Sequence, residues 1–262
     1  MLKKVVILAG GFGTRLQEET IVTPKPLVHI GDKPILWHIM NIFSHYGYKE
    51  FIICLGYKGY LIKEYFANYL LYNSDVTIDL SNNNKKVTIH EHKSEPWKVT
   101  LLDTGLHTQT GGRIQRIKRY VEGEPFFLTY GDGVANVDIK ALVNFHFSHS
   151  KIATVTGVKS PSKFGVIDVD ENSQARKFGE KPRDTASWIN GGFFILNPEV
   201  FKYLIYGDDM SWESTPLENL VANNELMVYK HEGFWQCMDT LRDLRILTNL
   251  WESGQAPWKV WE

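Results

Sequence analysis

The segment Leu8-Ala9-Gly10-Gly11-Phe12-Gly13-Thr14-Arg15-Leu16 is where residue types first point to chemistry. Gly10, Gly11 and Gly13 let the backbone turn tightly, and without Cβ atoms in the way their N–H groups can face an anion. Arg15 adds a permanent charge suited to phosphate oxygens. Lys25, held between Pro24 and Pro26 on a stiff segment, can return a second cation to the same place. Two familiar phosphate motifs do not fit. No Gly-Lys-Ser/Thr of a P-loop occurs, and a dinucleotide fingerprint needs glycine where Leu16 stands.

Carboxylates supply the complementary charge. Asp132 lies between Gly131 and Gly133, directly after the apolar run Phe126–Tyr130, where ligands bind in an open α/β sheet. Mg2+ takes one or two carboxylates and completes its shell with phosphate oxygens and water, so Asp132 suits a metal as well as a plain turn. Asp239, in Trp235-Gln236-Cys237-Met238-Asp239-Thr240, can cap the helix that starts near Thr240 or hold a metal, and the two roles are compatible. Phe178-Gly179-Glu180-Lys181-Pro182 brings a charged pair before a proline, and Asn190-Gly191-Gly192-Phe193 follows it. On its own a Glu-Lys pair is ordinary solvated surface.

These residues need a scaffold, and the apolar pattern describes one. Val5–Ala9 is a continuous apolar run bounded by Gly10, as expected of a strand buried on both faces. Ile35, Ile39, Ile42, Phe43 and Tyr46 repeat at helical spacing until Gly47 closes the helix. A strand over Phe51–Leu55 and a helix over Tyr60–Tyr72 continue a β-α-β-α order, which implies a parallel sheet with helices on both faces. Val76–Leu80 and Lys86–Glu91 alternate polar and apolar residues and read as a hairpin, before a Gly- and Thr-rich stretch over Asp103 to Arg113. Shorter strands are expected over Ala153–Val158, Gly165–Val169 and Phe193–Leu196, and helices after Pro198 and Thr215. Thr215-Pro216-Leu217-Glu218 has capping-box spacing. No repeat or linker divides the chain. A single domain over 1–262 is expected, with a first half at about 1–135 that carries the glycine turn, an inserted hairpin at about 75–92 and a second half at about 136–262.

Bulk properties narrow the classes. With 43% hydrophobic and 23% charged residues the chain is ordinary globular protein. Its formal charge of −1 argues against a nucleic-acid partner recognised through bulk positive charge. Cys54 and Cys237 match no metal-ligand spacing and read as reduced thiols. His90 and His92 alternate with Glu91 on a hairpin strand and do not suggest zinc. The five-residue apolar run after Lys4 is too short for a signal peptide or a membrane span, so a cytoplasmic location away from membranes is expected.

With Lys25 ten residues beyond Arg15, LAGGFGTRL resembles the signature of the sugar-phosphate nucleotidyltransferase family. The family often has a Pro-Leu pair where Gln17-Glu18-Glu19-Thr20 stands here, and proline is expected at Cys237. The resemblance implies an α/β/α sandwich with a mostly parallel central sheet, Rossmann-like, and an inserted β-hairpin. It implies that Leu8 to Thr14 and Gly131 bind the nucleotide, that Arg15 and Lys25 neutralise its phosphates, and that Asp132 and Asp239 hold Mg2+ on the triphosphate. On the sugar side Lys181 would hold the phosphate, with Glu180, Asn190 and Gly191 at the hydroxyls.

Several further segments resemble the cytidylyl-transferring branch of that family. They are Glu95 to Gly105, Thr110-Gly111-Gly112-Arg113, Val22 to Pro26, Lys33 to Met40 and Gly254 to Lys259, so the resemblance covers essentially the whole chain. This branch implies CTP and glucose 1-phosphate as substrates and CDP-glucose as product. Cytosine presents a carbonyl and an acceptor nitrogen that an Arg113 fork can satisfy, with Thr108 and Gly112 as neighbours; a helix-starting surface arginine is the plainer reading. Rival readings keep the chemistry with dTTP, UTP or GTP and another hexose 1-phosphate, or keep the fold in a non-catalytic regulatory subunit. A metal-dependent glycosyltransferase commonly has an Asp-x-Asp pair that Gly131-Asp132-Gly133 lacks. The resemblance also implies a homo-oligomer; Trp251, Trp258 and Trp261 can pack on the core or between subunits.

Overall fold

Alternate residues of the first strand, Lys4–Ala9, feed two different cores. Val5, Ile7 and Ala9 face one, and Val6 and Leu8 face the other. A strand buried on both faces needs helices above and below it, and this requirement sets the architecture. Helices Ile35–His45, Ile139–Ser148 and Leu241–Glu252 cover the first face. Helices Thr110–Arg116 and Thr215–Ala222 cover the second. The computed structural model describes residues 2–81, 86–121, 123–159, 166–171, 173–179, 188–205 and 207–262.

The central sheet has nine strands among the described residues. Along its main path the order is Ala175–Gly179, Val166–Val169, Trp188–Leu196, Phe126–Tyr130, Lys4–Ala9, Glu50–Leu55 and Lys98–Asp103, while Ala153–Lys159 and Leu226–His231 branch from Trp188–Leu196. From Phe126–Tyr130 to Lys98–Asp103 every pair is parallel. At Trp188–Leu196 the direction reverses, and that strand is antiparallel to Phe126–Tyr130. The expected α/β/α sandwich with its mostly parallel central sheet is thus present. The inserted hairpin is present too, with Ser74–Asp79 pairing antiparallel to Lys86–His92 in a separate two-stranded sheet.

Several boundaries differ from expectation for local reasons. The helix expected over Tyr60–Tyr72 is two, Gly59–Ala67 and Tyr69–Tyr72, because Asn68 turns its side-chain amide back onto the Glu64 carbonyl at 3.0 Å. Thr215 is the first helical residue rather than the cap, so its capping box does not form. A capping box forms instead at Thr240, whose hydroxyl accepts from the Asp243 N–H at 3.2 Å while Asp243 accepts from the Thr240 N–H at 2.9 Å. The segment after Pro198 is a short 3-10 helix, Pro198–Tyr203. The strand expected over Phe193–Leu196 is the end of the longer Trp188–Leu196, whereas Lys98–Asp103, Ala175–Gly179 and Leu226–His231 carry weak alternation and were not expected. Among the described residues no helix is long and apolar enough to cross a membrane.

The C-terminal tryptophans pack on this chain's own core. Trp258 is fully buried, and Trp251 and Trp261 are half-buried against the same cluster. They surround His38, whose ring centroid lies 4.5 Å from that of Trp251. Trp258 Nε1 donates to His38 Nδ1 at 3.4 Å and His38 Nε2 donates to the Ile30 carbonyl at 3.1 Å, an arrangement that requires the neutral ring. Burial pushes the His38 pKa down to about 4. The folded state therefore refuses a proton that the unfolded chain accepts near pH 6.5, so this contribution is complete above 6.5 and is lost as pH falls towards 4. At full extent the loss is about 3 kcal/mol. Tm should drop across that window, and the His38 ring followed by NMR should not titrate above pH 5; titration near 6.5 would overturn the assignment.

Candidate functional site

A cleft of about 380 Å³ opens where the strands Lys4–Ala9 and Phe126–Tyr130 end. Its lining comes from Leu8 to Arg15, from Lys25-Pro26, from Leu106 to Thr110 with Arg113, and from Tyr130-Gly131-Asp132. The glycine turn is constrained where it must be. Gly13 has φ +65°, the left-handed region that favours glycine. A Cβ on Gly10 would sit 2.3 Å from the Arg113 guanidinium carbon. Phe12 keeps its ring exposed beside Tyr57 and His107, with centroids 5.2 and 6.0 Å away.

Asp132 and Asp239 are brought together by a short ladder. Trp235–Cys237 pairs antiparallel with Gly133–Ala135, with Cys237 opposite Gly133, and the Met238 N–H then donates to the Asp132 carbonyl at 2.8 Å. Cys237, standing where proline is expected, takes part in this ladder. Because Thr240 caps the following helix, the Asp239 side chain is not spent on capping. Lys25 Nζ lies 2.6 Å from Asp132 Oδ2 and 2.6 Å from Asp239 Oδ1. Arg15 reaches Asp239 Oδ2 at 2.7 Å while its side chain remains 69% exposed. Burial alone would lower the Lys25 pKa, but the charges of Asp132 and Asp239 reverse this and hold it above the ordinary lysine value. Two carboxylate oxygens converging on one cation beside the glycine turn form a donor set that suits a divalent metal with phosphate oxygens completing the shell.

Arg113 lines the cleft but is 4% exposed, and its guanidinium is occupied. One terminal nitrogen donates to the Leu55 carbonyl at 2.9 Å, the Thr104 hydroxyl at 2.7 Å and the Gly105 carbonyl at 2.8 Å. The other donates to the carbonyls of Gly10 at 3.1 Å and Leu106 at 3.4 Å. The expected fork onto a base is therefore not available in this arrangement, nor is the surface role. Arg113 is a strut that pins the glycine turn to the Gly105-Leu106 loop. Thr108 lines the cleft, whereas Gly112 packs against Thr108 and Asp208 and does not.

Asn190 and Gly191 lie on the strand Trp188–Leu196, next to Phe126–Tyr130, the border strand between the parallel and antiparallel parts of the sheet. Asn190 donates to the Tyr130 hydroxyl at 3.2 Å, and the Gly191 carbonyl accepts from Trp235 Nε1 at 2.7 Å. Glu180 and Lys181 lie outside the described residues. Glu95 and Trp97 line a different hollow with Phe66 and Tyr69, away from the cleft. Sequence reasoning missed Leu106, His107, Gln109, Thr110 and Tyr130 as lining residues. Only the general Gly- and Thr-rich character of 103–113 could have signalled the first four.

A profile of the nucleotidyl transferase family matches residues 4–244. A glucose-1-phosphate cytidylyltransferase of Salmonella typhi is 56% identical over 260 residues, covering 99% of this chain and 100% of that protein. A mannose-1-phosphate guanylyltransferase catalytic subunit beta of Drosophila melanogaster is 32% identical over 248 residues, covering 92% of this chain and 60% of the relative. Among solved structures, HddC from Yersinia pseudotuberculosis shares the fold, with a TM-score of 0.74 at 24% identity over 95% of this chain and 99% of that one.

The strut makes a direct prediction. Arg113→Lys leaves several buried oxygens without donors, at about 1–3 kcal/mol each where no water replaces them. Thermal melts should show a marked fall in Tm, and calorimetry should show triphosphate binding weakened to a similar degree whatever the base. A variant of unchanged Tm with altered base preference would restore the fork.

Proposed function

We propose that this chain, which belongs to the nucleotidyl transferase family, transfers the cytidylyl group of CTP to α-D-glucose 1-phosphate, giving CDP-glucose and pyrophosphate. The observation that carries the chemistry is the convergence of Lys25 on Asp132 and Asp239 at the mouth of the glycine turn. The choice of CTP and glucose rests on full-length identity of 56% to a cytidylyltransferase, against 32% to a guanylyltransferase. A regulatory subunit without activity would be expected to lose a phosphate cation or a metal acid, yet Arg15, Lys25, Asp132 and Asp239 are all present.

In this reading Leu8 to Thr14 wrap the nucleotide, and Gly131 lets the border strand approach it. A Cβ there would meet the Leu8 carbonyl at 3.0 Å and Pro26 Cγ at 3.2 Å. Asp132 and Asp239 hold Mg2+, which when bound supplies positive charge to the triphosphate. Arg15 and Lys25 neutralise the phosphates and the leaving pyrophosphate. The nucleophile is an oxygen of the sugar phosphate, already anionic, so no general base is required. It attacks the α-phosphorus in line, one P–O bond forms, and the bond to the pyrophosphate oxygen breaks. The work of the site is alignment and charge neutralisation. Glu180, Lys181, Asn190 and Gly191 are assigned to the sugar phosphate, Lys181 keeping the two anions from repelling each other.

We also treat the chain as one domain, because a single sheet runs through both halves at the pairing of Phe126–Tyr130 with Trp188–Leu196. A cytoplasmic setting suits the two buried unpaired thiols, and neither nucleic acid nor membrane enters this reading. A homo-oligomer is favoured by the hairpin, which exposes Ile78, Leu80, Val87 and Ile89. Placing Lys at Ile78 and Ile89 together should shift sedimentation towards the monomer, and an unchanged distribution would remove the hairpin from the interface.

Pyrophosphate release over a grid of triphosphates and sugar phosphates tests the main reading, with CTP and glucose 1-phosphate expected to give the highest kcat/KM. Indifference to CTP would overturn the cytidylyl assignment. Asp132→Asn and Lys25→Ala should each cut kcat by about 100-fold or more while the fold survives. Turnover near that of wild type in either purified variant would remove that residue from its role.

A further inference from the structure

Glu213 lies outside the cleft lining, yet three hydroxyls converge on its carboxylate. Tyr130 donates to Oε1 at 2.6 Å, and Thr110 and Ser211 each donate to Oε2 at 2.6 Å. Two of these donors, Tyr130 and Thr110, belong to the cleft wall. Thr110 opens the helix that carries Arg113, and its hydroxyl oxygen also accepts from the Trp212 N–H at 2.8 Å. Tyr130 immediately precedes Gly131-Asp132.

We infer that Glu213 is a positioning residue for the sugar-phosphate side of this transfer, acting through the Tyr130 hydroxyl on Asn190; the inference rests on the proposed function. An ionised carboxylate only accepts, so the Tyr130 O–H donates its hydrogen bond to Glu213 and the phenol oxygen is left as an acceptor. Asn190 Nδ2 donates to that oxygen at 3.2 Å, and Asn190 Oδ1 accepts from the Gly192 N–H at 2.8 Å. Both ends of the amide are thereby assigned, and flipping it would oppose like groups at both contacts. Asn190 is left with an N–H to offer, which suits a hydroxyl oxygen of a sugar and not a group that can only donate.

The same carboxylate fixes the helix that carries Arg113. The Gln109 N–H donates to the Asp208 carbonyl at 2.7 Å and the Gly111 N–H to the Met210 carbonyl at 2.9 Å, so the segment 208–213 is the platform on which that helix starts. Glu213 therefore joins the start of the Arg113 helix to Asn190 on the strand Trp188–Leu196.

Glu213→Gln keeps the size of the side chain but places an N–H2 donor against hydroxyls that donate to the carboxylate, so at least one of these contacts must reverse. In steady-state kinetics this variant should raise KM for glucose 1-phosphate by about 10- to 100-fold, more than KM for CTP, with Tm close to wild type. Tyr130→Phe should raise the same KM, and the double variant should be no worse than the poorer single one. Unchanged KM in Glu213→Gln, or additive effects in the double variant, would overturn the relay. Wild-type activity decides separately whether the proposed reaction is right; if another sugar phosphate is preferred, the same cycle is run with that one. Proton NMR supplies a readout independent of turnover. A short phenol–carboxylate bond should give a far-downfield resonance in wild type that both Tyr130→Phe and Glu213→Gln abolish, and its absence from wild type would also overturn the relay.

Discussion

Charges from residues 25, 132 and 239 meet at one point, and the fold around the cleft is arranged so that they can. Lys25 is only 12% exposed and Asp239 only 8%. An ammonium in such a place is costly unless paired, and two carboxylates brought this close would repel each other without a cation between them. The contact is therefore mutual, each charge making the others tolerable. Its geometry depends on a proline-bracketed Lys25, on a border strand that ends in glycine, and on a small ladder that sets Met238 on the Asp132 carbonyl.

Two buried cations are used in opposite ways. Lys25 faces carboxylates and, in the proposed reaction, the phosphates. Arg113 faces carbonyls, and its planar fork satisfies five oxygens drawn from three stretches of chain. Lysine has one nitrogen and could not span them. The bare approach of Gly10 to that guanidinium explains why glycine is needed at this point of the turn, beyond any freedom of its backbone.

What the sequence disclosed follows from how local each signal is. Val5–Ala9 and Phe126–Tyr130 are dense apolar runs that end in glycine, and both proved to be central strands with ligand-facing ends. The turn Gly10 to Arg15, Lys25 and Asp132 could be picked out because their neighbours in sequence are also their neighbours in the cleft. Arg113 was legible as a candidate but not in its role, since its partners at Leu55, Gly10 and Thr104 are set by tertiary packing. Glu213 carried no signal at all: in Trp212-Glu213-Ser214-Thr215 it is an unremarkable charge before a helix. The edge strand Lys98–Asp103 is half-buried or exposed along its length, so the pattern that marks a central strand is missing.

Tyr130 shows why the two halves of the sheet cannot be treated as independent. Its strand is the border, parallel to Lys4–Ala9 on one side and antiparallel to Trp188–Leu196 on the other. Its backbone leads directly to the metal acid Asp132 of the proposed reaction. Its ring fills the space that a Cβ on Gly192 would need, 2.7 Å from that position, and Gly192 has φ +81°. Its hydroxyl is held by Glu213 and in turn holds Asn190. A shift of the border strand would therefore move the acid, Asn190 and the platform under the Arg113 helix together. For a reaction whose catalysis rests on aligning two anions, such shared fixation keeps the distance between the two substrate sites from drifting while each is adjusted to its own ligand.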